Sequence, residues 1–63
     1  MPEVTQRALL LAAWNQQSEA NREITCSTVR RLGPAAVGAQ LADSLKPSIT
    51  SEVATAFLED RCK

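Results

Sequence analysis

The chain has 63 residues, and its seven Lys and Arg balance seven Asp and Glu, so that the formal net charge is zero. Zero net charge weighs against strong non-specific binding to nucleic acid or to an anionic membrane surface, and no His is present to act as a base near neutral pH. Ala is abundant and β-branched residues are scattered, which predicts that residues 1–63 form a single all-α domain, a small bundle of three to four short helices.

The first predicted helix covers residues 3–17, and Pro2 and Glu3 suit its first turn. Its apolar residues recur at helical spacing, namely Val4, Ala8, Leu10, Leu11 and Trp14. Leu9 points away from that stripe, so the helix is apolar around much of its circumference. We expect it either to be the central element of the bundle or to have two contact faces.

The next segment allows more than one interpretation. Residues 18–24 are polar and could extend the first helix or form a loop. Thr25 is a plausible N-cap for a short second helix over residues 25–32, from which Val29 and Leu32 would face inward. An extended conformation of the same segment is the alternative.

A Gly-Pro pair predicts the start of the third helix, which covers residues 34–45. Gly33 suits the position just after a helix, Pro34 suits the first turn of the next one, and Pro47 ends the helical pattern. The expected inward stripe consists of Val37, Leu41 and Leu45. Small residues beside that stripe would let another helix approach closely, namely Gly38 and Ala42.

The fourth predicted helix covers residues 50–61, with Ser48 or Thr50 as its N-cap. Its inward stripe consists of Ile49, Val53 and Phe57. A chain this short buries only about 60% of its unfolded surface, so its core should be thin. We therefore expect self-association as a dimer or a protein partner to supply further stability.

Catalysis and metal binding find little support in the sequence. Ser and Thr nucleophiles need a neighbouring base, usually His, and we interpret Glu19 and Glu23 as solvated surface carboxylates. Cys26 and Cys62 cannot complete a tetrahedral zinc site without further ligands. We expect no enzyme, no cofactor and no metal. We expect two free thiols, with a disulfide or an inter-chain pairing as the alternative.

The compartment is inferred from hydropathy. The longest apolar run covers residues 8–14, and seven residues cannot span a bilayer. The basic segment and longer apolar stretch of a signal peptide are also missing. We therefore expect a cytoplasmic protein without membrane contact.

A helix over residues 36–45, a short turn and a helix over residues 50–60 follow one another in the C-terminal half. In this order residues 36–60 resemble a helix-turn-helix motif, in which a small residue of the first helix packs against the second. Two positions depart from the pattern: Lys46 stands where the turn usually has Gly, and Val53 lies one position after the usual inward apolar residue. The resemblance implies a DNA-binding transcriptional regulator that acts as a dimer.

Five residues would contact DNA in that alternative: Arg30, Arg31, Lys46, Ser51 and Thr55. The three basic residues would contact phosphates, and the two hydroxyl groups would face the bases. The charge of the fourth helix weighs against this role, because Glu52, Glu59 and Asp60 are carboxylates near the expected DNA surface.

We favour a small non-enzymatic regulator or adaptor, of the kind found among phage- and plasmid-type inhibitors, that contacts a protein partner through an apolar helix face. The expected contact residues are Leu9, Leu10 and Trp14. Trp14 beside Leu10 is an anchor typical of interface hot spots, and Leu9 is hard to bury in a chain this short. Packing of Trp14 in the core is the alternative.

Overall fold

The computed structural model describes residues 2–62 and contains four α-helices within that range. They are α1 (Glu3–Gln16), α2 (Glu19–Leu32), α3 (Pro34–Leu45) and α4 (Ser51–Arg61). No strand occurs among these residues, so the predicted all-α bundle is confirmed. The longest of the four helices has 14 residues, and none is long and apolar enough to cross a membrane.

Helix α2 begins six residues earlier than the sequence predicted and has 14 residues. The Ser18 hydroxyl caps it by accepting a hydrogen bond from the Asn21 backbone N–H at 3.1 Å, and Glu19 complements the dipole in the first turn. Thr25 is therefore a mid-helix residue, and its assignment as the N-cap was wrong. Its hydroxyl donates to the Asn21 carbonyl at 3.1 Å, a bond that Thr readily makes inside a helix.

The boundaries of α3 and α4 agree with the sequence prediction. Gly33 has a φ of 92°, a conformation that disfavours residues with a side chain, and its N–H donates to the Val29 carbonyl at 2.8 Å. Pro34 then begins α3. The Thr50 hydroxyl accepts a hydrogen bond from the Val53 N–H at 3.4 Å and caps α4, which settles the choice between the two predicted caps.

Helix α4 is the centre of the bundle and packs against each of the other three helices. The predicted stripe of Ile49, Val53 and Phe57 is buried, and Leu10 of α1 and Ala54 complete this core cluster. Each large apolar side chain contributes roughly 1.5–3 kcal/mol when it is fully buried. Helices α1 and α3 are therefore held in place mainly by their contacts with α4, whereas α2 packs more extensively on α3 than on α4.

Helix α3 meets α4 through its small residues, as predicted. Gly38 is buried, and a Cβ atom at this position would lie 2.9 Å from both the backbone N and the Cα of Thr55. Because α3 contacts α4 through Gly38, the neighbouring stripe of larger residues does not face α4 directly. Val37 and Leu41 are therefore only half-buried, and Leu45 is 41% exposed. The prediction that this stripe is core was wrong for Leu45.

Helix α1 turns a narrower face inward than the sequence suggested. Gln6 and Leu10 are its buried residues, whereas Val4 is 79% exposed. The Gln6 side chain is buried because its Oε1 accepts a hydrogen bond from the Thr50 N–H at 2.8 Å. Leu32, expected to face inward from α2, is exposed because it is the last residue of that helix, beyond the buried Val29.

Cys26 and Cys62 form a disulfide, which contradicts the expectation of two free thiols. Their Cα atoms lie 5.2 Å apart, although 36 positions separate them in the chain. The longer α2 explains the pairing, because its inward face carries Cys26 to the end of α4, where Cys62 follows the helix.

Candidate interaction groove

An apolar groove of about 310 Å³ lies between α1 and α3, and we call it the α1–α3 groove. Its α1 wall consists of Ala13, Trp14 and Gln17, and its α3 wall consists of Val37, Gln40, Leu41, Ser44 and Leu45. The floor consists of Leu10, Phe57 and Leu58, and Thr25 of α2 also lines the groove.

The groove exists because α1 and α3 each pack on α4 rather than on each other. The missing side chain of Gly38 brings α3 onto α4. On the other side, the hydrogen bond between Gln6 and Thr50 and the burial of Leu10 hold α1 against α4. The space between the two outer helices is left uncovered, with the apolar side chains of α4 beneath it.

Trp14 belongs partly to the core and partly to the groove wall. Its ring is half-buried and meets Phe57 edge-to-face, with ring centroids 6.0 Å apart and an interplanar angle of 81°. The Arg61 guanidinium lies 5.5 Å from the centroid of the Phe57 ring. These two contacts fix the orientation of Phe57, and both kinds of contact are favourable for an aromatic ring.

The structure separates the three residues that we expected to contact a partner. Leu9 is 47% exposed and lies one helical turn before Ala13, so it extends the apolar surface beyond the groove. Leu10 is only 4% exposed and belongs to the core cluster, so it is unsuited to serve as a surface contact, and we correct that assignment. Trp14 lines the groove and also contacts Phe57, which combines both interpretations of this residue.

Sequence reasoning assigned the apolar residues of the α3 wall, Val37, Leu41 and Leu45, to an inward stripe and so missed them as a surface. The sequence feature that could have indicated this surface was the pair of small residues Gly38 and Ala42, which are the buried residues of α3. On a helix, Leu41 and Leu45 then lie beside that contact rather than at its centre.

The structure does not present the five residues of the DNA-binding alternative as a free surface for contact with bases and phosphates. Arg30 donates to Glu23 at 3.0 Å, and Lys46 pairs with Asp43 at 2.9 Å. Arg31 is exposed in the last turn of α2, and Ser51 is half-buried in the first turn of α4.

Helix α4 offers little for base recognition. Thr55 packs against Gly38 and so faces α3. The exposed residues of this helix are Glu52, Glu59, Asp60 and Arg61, three acids and one base. DNA recognition usually needs Arg, Lys, Asn or Gln at such positions.

Within residues 2–62, the acidic and Cys side chains do not gather into any cluster of three or more that could hold a metal ion. All buried side-chain polar atoms of this part of the chain have hydrogen-bond partners. The α1–α3 groove is therefore the feature with most capacity for recognition. Comparison with known protein families, curated proteins and solved structures finds no match for this chain.

Proposed function

We propose that the protein is a small non-enzymatic regulator or adaptor that binds a protein partner by receiving apolar side chains in the α1–α3 groove. The observation that supports this proposal is the composition of the groove, in which Trp14, Leu41 and Leu45 surround a floor of core residues. Exposed Trp and Leu side chains around a concave apolar centre are typical of sites that receive an amphipathic helix or a hot-spot side chain.

The size and rim of the groove agree with this function. Its volume of about 310 Å³ lies at the lower end of the range of binding pockets. Its rim carries Gln17, Gln40 and Ser44, which are uncharged and able to form hydrogen bonds with a partner backbone. An apolar centre inside a polar rim is the usual arrangement of a protein–protein interface.

A second copy of the chain is one form that the partner can take, since Leu9, Ile24 and Leu32 are also exposed apolar residues. Light scattering after size exclusion measures this directly. A dimer that dissociates when Leu9 becomes Glu would support self-association, and a monomer at all concentrations would direct the search to another protein.

The cytoplasm is the compartment that we propose, following the hydropathy of the sequence. Permanent disulfides are rare there, and those that occur in the cytosol are usually catalytic or redox-sensing. The Cys26–Cys62 bond of a cytoplasmic protein would therefore be formed and broken during its working life.

Leu45 and Leu32 provide a matched pair of variants that tests the groove. Each is the last residue of its helix, and they are 41% and 51% exposed, but only Leu45 lines the groove. A tagged protein captures partners from host lysate for identification by mass spectrometry. The purified partner is then titrated against Leu45→Glu and Leu32→Glu, with Trp14 fluorescence as the signal.

We expect Leu45→Glu to weaken binding at least about tenfold, because a carboxylate would be desolvated in the groove, and Leu32→Glu to have almost no effect. Equal effects of the two variants would contradict the groove as the binding site. A parallel titration with duplex DNA at low and moderate salt tests the alternative, because tight binding with a steep salt dependence would favour the DNA-binding regulator.

A further inference from the structure

Helix α2 buries few of its side chains. Only Cys26 and Val29 of its 14 residues are buried, whereas Ile24 and Leu32 are exposed. It packs on α3 about as extensively as α1 packs on α4, but its own contact with α4 is slight. The covalent bond between Cys26 and Cys62 is thus a principal tie between α2 and the centre of the bundle.

An open depression of about 700 Å³ gives access to this disulfide from solvent. Cys26, although only 8% exposed, is one of its lining residues, with Trp14 and Ala20 among its neighbours, and Cys62 is half-buried. The depression is the route by which a small thiol would approach the disulfide in the folded protein.

The depression is lined by two cations and two carboxylates, and one of the carboxylates pairs with a cation outside the lining. Arg22 and Arg61 line it, together with Glu19 and Glu23. Glu23 is engaged by Arg30 at 3.0 Å, which offsets its charge. Cations beside a disulfide attract an incoming thiolate and stabilise the thiolate that leaves.

From this arrangement we propose that Cys26–Cys62 is a thiol–disulfide exchange site that a dithiol reduces in the folded protein, and that reduction releases α2 from α4 and loosens it, while α1, α3 and α4 remain packed. This site shares Trp14 with the α1–α3 groove, but the exchange does not depend on a partner bound there.

The exchange balances with a dithiol as the only co-reactant. One thiolate of the dithiol attacks Cys26 Sγ, forms a mixed disulfide and expels Cys62 as a thiolate, which takes up a proton. The second thiolate of the reductant then attacks the reductant's first sulfur, which is bonded to Cys26 in the mixed disulfide. This step closes the reductant's disulfide and expels Cys26 as a thiolate, which is also protonated. Two electrons pass from the dithiol, which becomes a disulfide, to the protein, which gains two thiols.

The first experiment measures the rate at which excess dithiothreitol reduces the oxidised protein, with and without urea below the unfolding transition. We expect a rate proportional to the dithiothreitol concentration and nearly independent of urea. A rate that rises steeply with urea would overturn the proposal, whether or not it also depends on dithiothreitol, because reduction would then require global unfolding.

A charge variant and its control refine this measurement. Arg22→Gln should slow reduction about threefold at low salt, whereas Arg31→Gln, which lies outside the depression, should leave the rate unchanged. Equal rates for all three proteins would show that Arg22 does not assist the exchange and would overturn that part of the proposal.

The second experiment locates the structural change by hydrogen exchange and mass spectrometry. In the reduced protein, and in the Cys26→Ser, Cys62→Ser double variant, amides of α2 should exchange at least about tenfold faster, while those around Gly38 and Thr55 keep their protection. Loss of protection in all four helices together, or unchanged protection of α2, would overturn the release of α2 alone. The reduction kinetics remain decisive even where the double variant fails to fold.

Discussion

Gln6 accepts a hydrogen bond from the backbone N–H of Thr50 at 2.8 Å, and this bond joins α1 to the residue that caps α4. The Thr50 hydroxyl lies 3.4 Å from the same Gln6 oxygen. One buried amide thus connects the N-terminal turn of the first helix with the start of the central helix. A polar residue takes an inward position here because a helix N-terminus presents N–H groups that need acceptors.

Gln6→Ala should lower the free energy of unfolding by about 1–3 kcal/mol, because it removes the acceptor of the Thr50 N–H in a partly buried hydrogen bond. Urea denaturation followed by circular dichroism measures the change. Gln16→Ala is the matched control, because Gln16 is exposed on the same helix, and it should change stability by no more than about 0.5 kcal/mol. A loss no greater than that of the control would contradict the role of this bond.

Gly38→Ala should destabilise the bundle by about 1–3 kcal/mol, since the added methyl group would lie 2.9 Å from the backbone N and Cα of Thr55. The change is diagnostic because Ala is favoured over Gly inside a helix by about 1 kcal/mol. Ser44→Ala, at an exposed position of the same helix, isolates the effect of propensity and should be neutral or slightly stabilising. A higher melting temperature for Gly38→Ala would show that α3 and α4 are further apart.

Phe57→Ala should cost about 3–5 kcal/mol and unfold much of the protein, because Phe57 is buried in the core and contacts both Trp14 and Arg61. Thermal unfolding by circular dichroism, with the intensity of Trp14 fluorescence, measures the loss. Leu45→Ala removes an exposed apolar side chain and should cost much less. A variant that melts like the unmodified protein would place Phe57 outside the core.

Arg30→Ala should change stability by no more than about 1 kcal/mol, because its ion pair with Glu23 is exposed to solvent. The double variant Arg30→Ala, Arg31→Ala also tests the DNA-binding alternative, since both residues were expected to contact phosphates. Under the proposed function the double variant binds the protein partner as well as the unmodified chain does. Loss of DNA affinity with a salt slope reduced by about two would instead favour the regulator that binds DNA.

The sequence was sufficient to predict the features that depend on local chemistry. Gly33 and Pro34 mark a helix boundary through their backbone preferences, and Thr50 provides a cap oxygen next to an apolar stripe. The burial of Val53 and Phe57 was also predictable, because a central helix is apolar on the sides that its neighbours cover.

Features that depend on the direction of approach between helices were not predictable in this way. The stripe that includes Leu45 was a plausible inward face until Gly38 brought α3 onto α4 at a different angle. The same reason explains the corrected role of Leu10, whose burial depends on where α4 lies. Pairing of Cys26 with Cys62 likewise depends on the position of α2 beside the end of α4.

The central position of α4 also determines when the fold can assemble during translation. Three helices emerge from the ribosome before α4, and two of them, α1 and α3, pack mainly on a helix that has not yet been made. Until α4 appears, α1 cannot bury Leu10 against Phe57, and Gly38 has no neighbour to approach. The complete bundle can therefore assemble only after α4 has left the ribosome, and α1 and α3 remain without their main packing partner until that point.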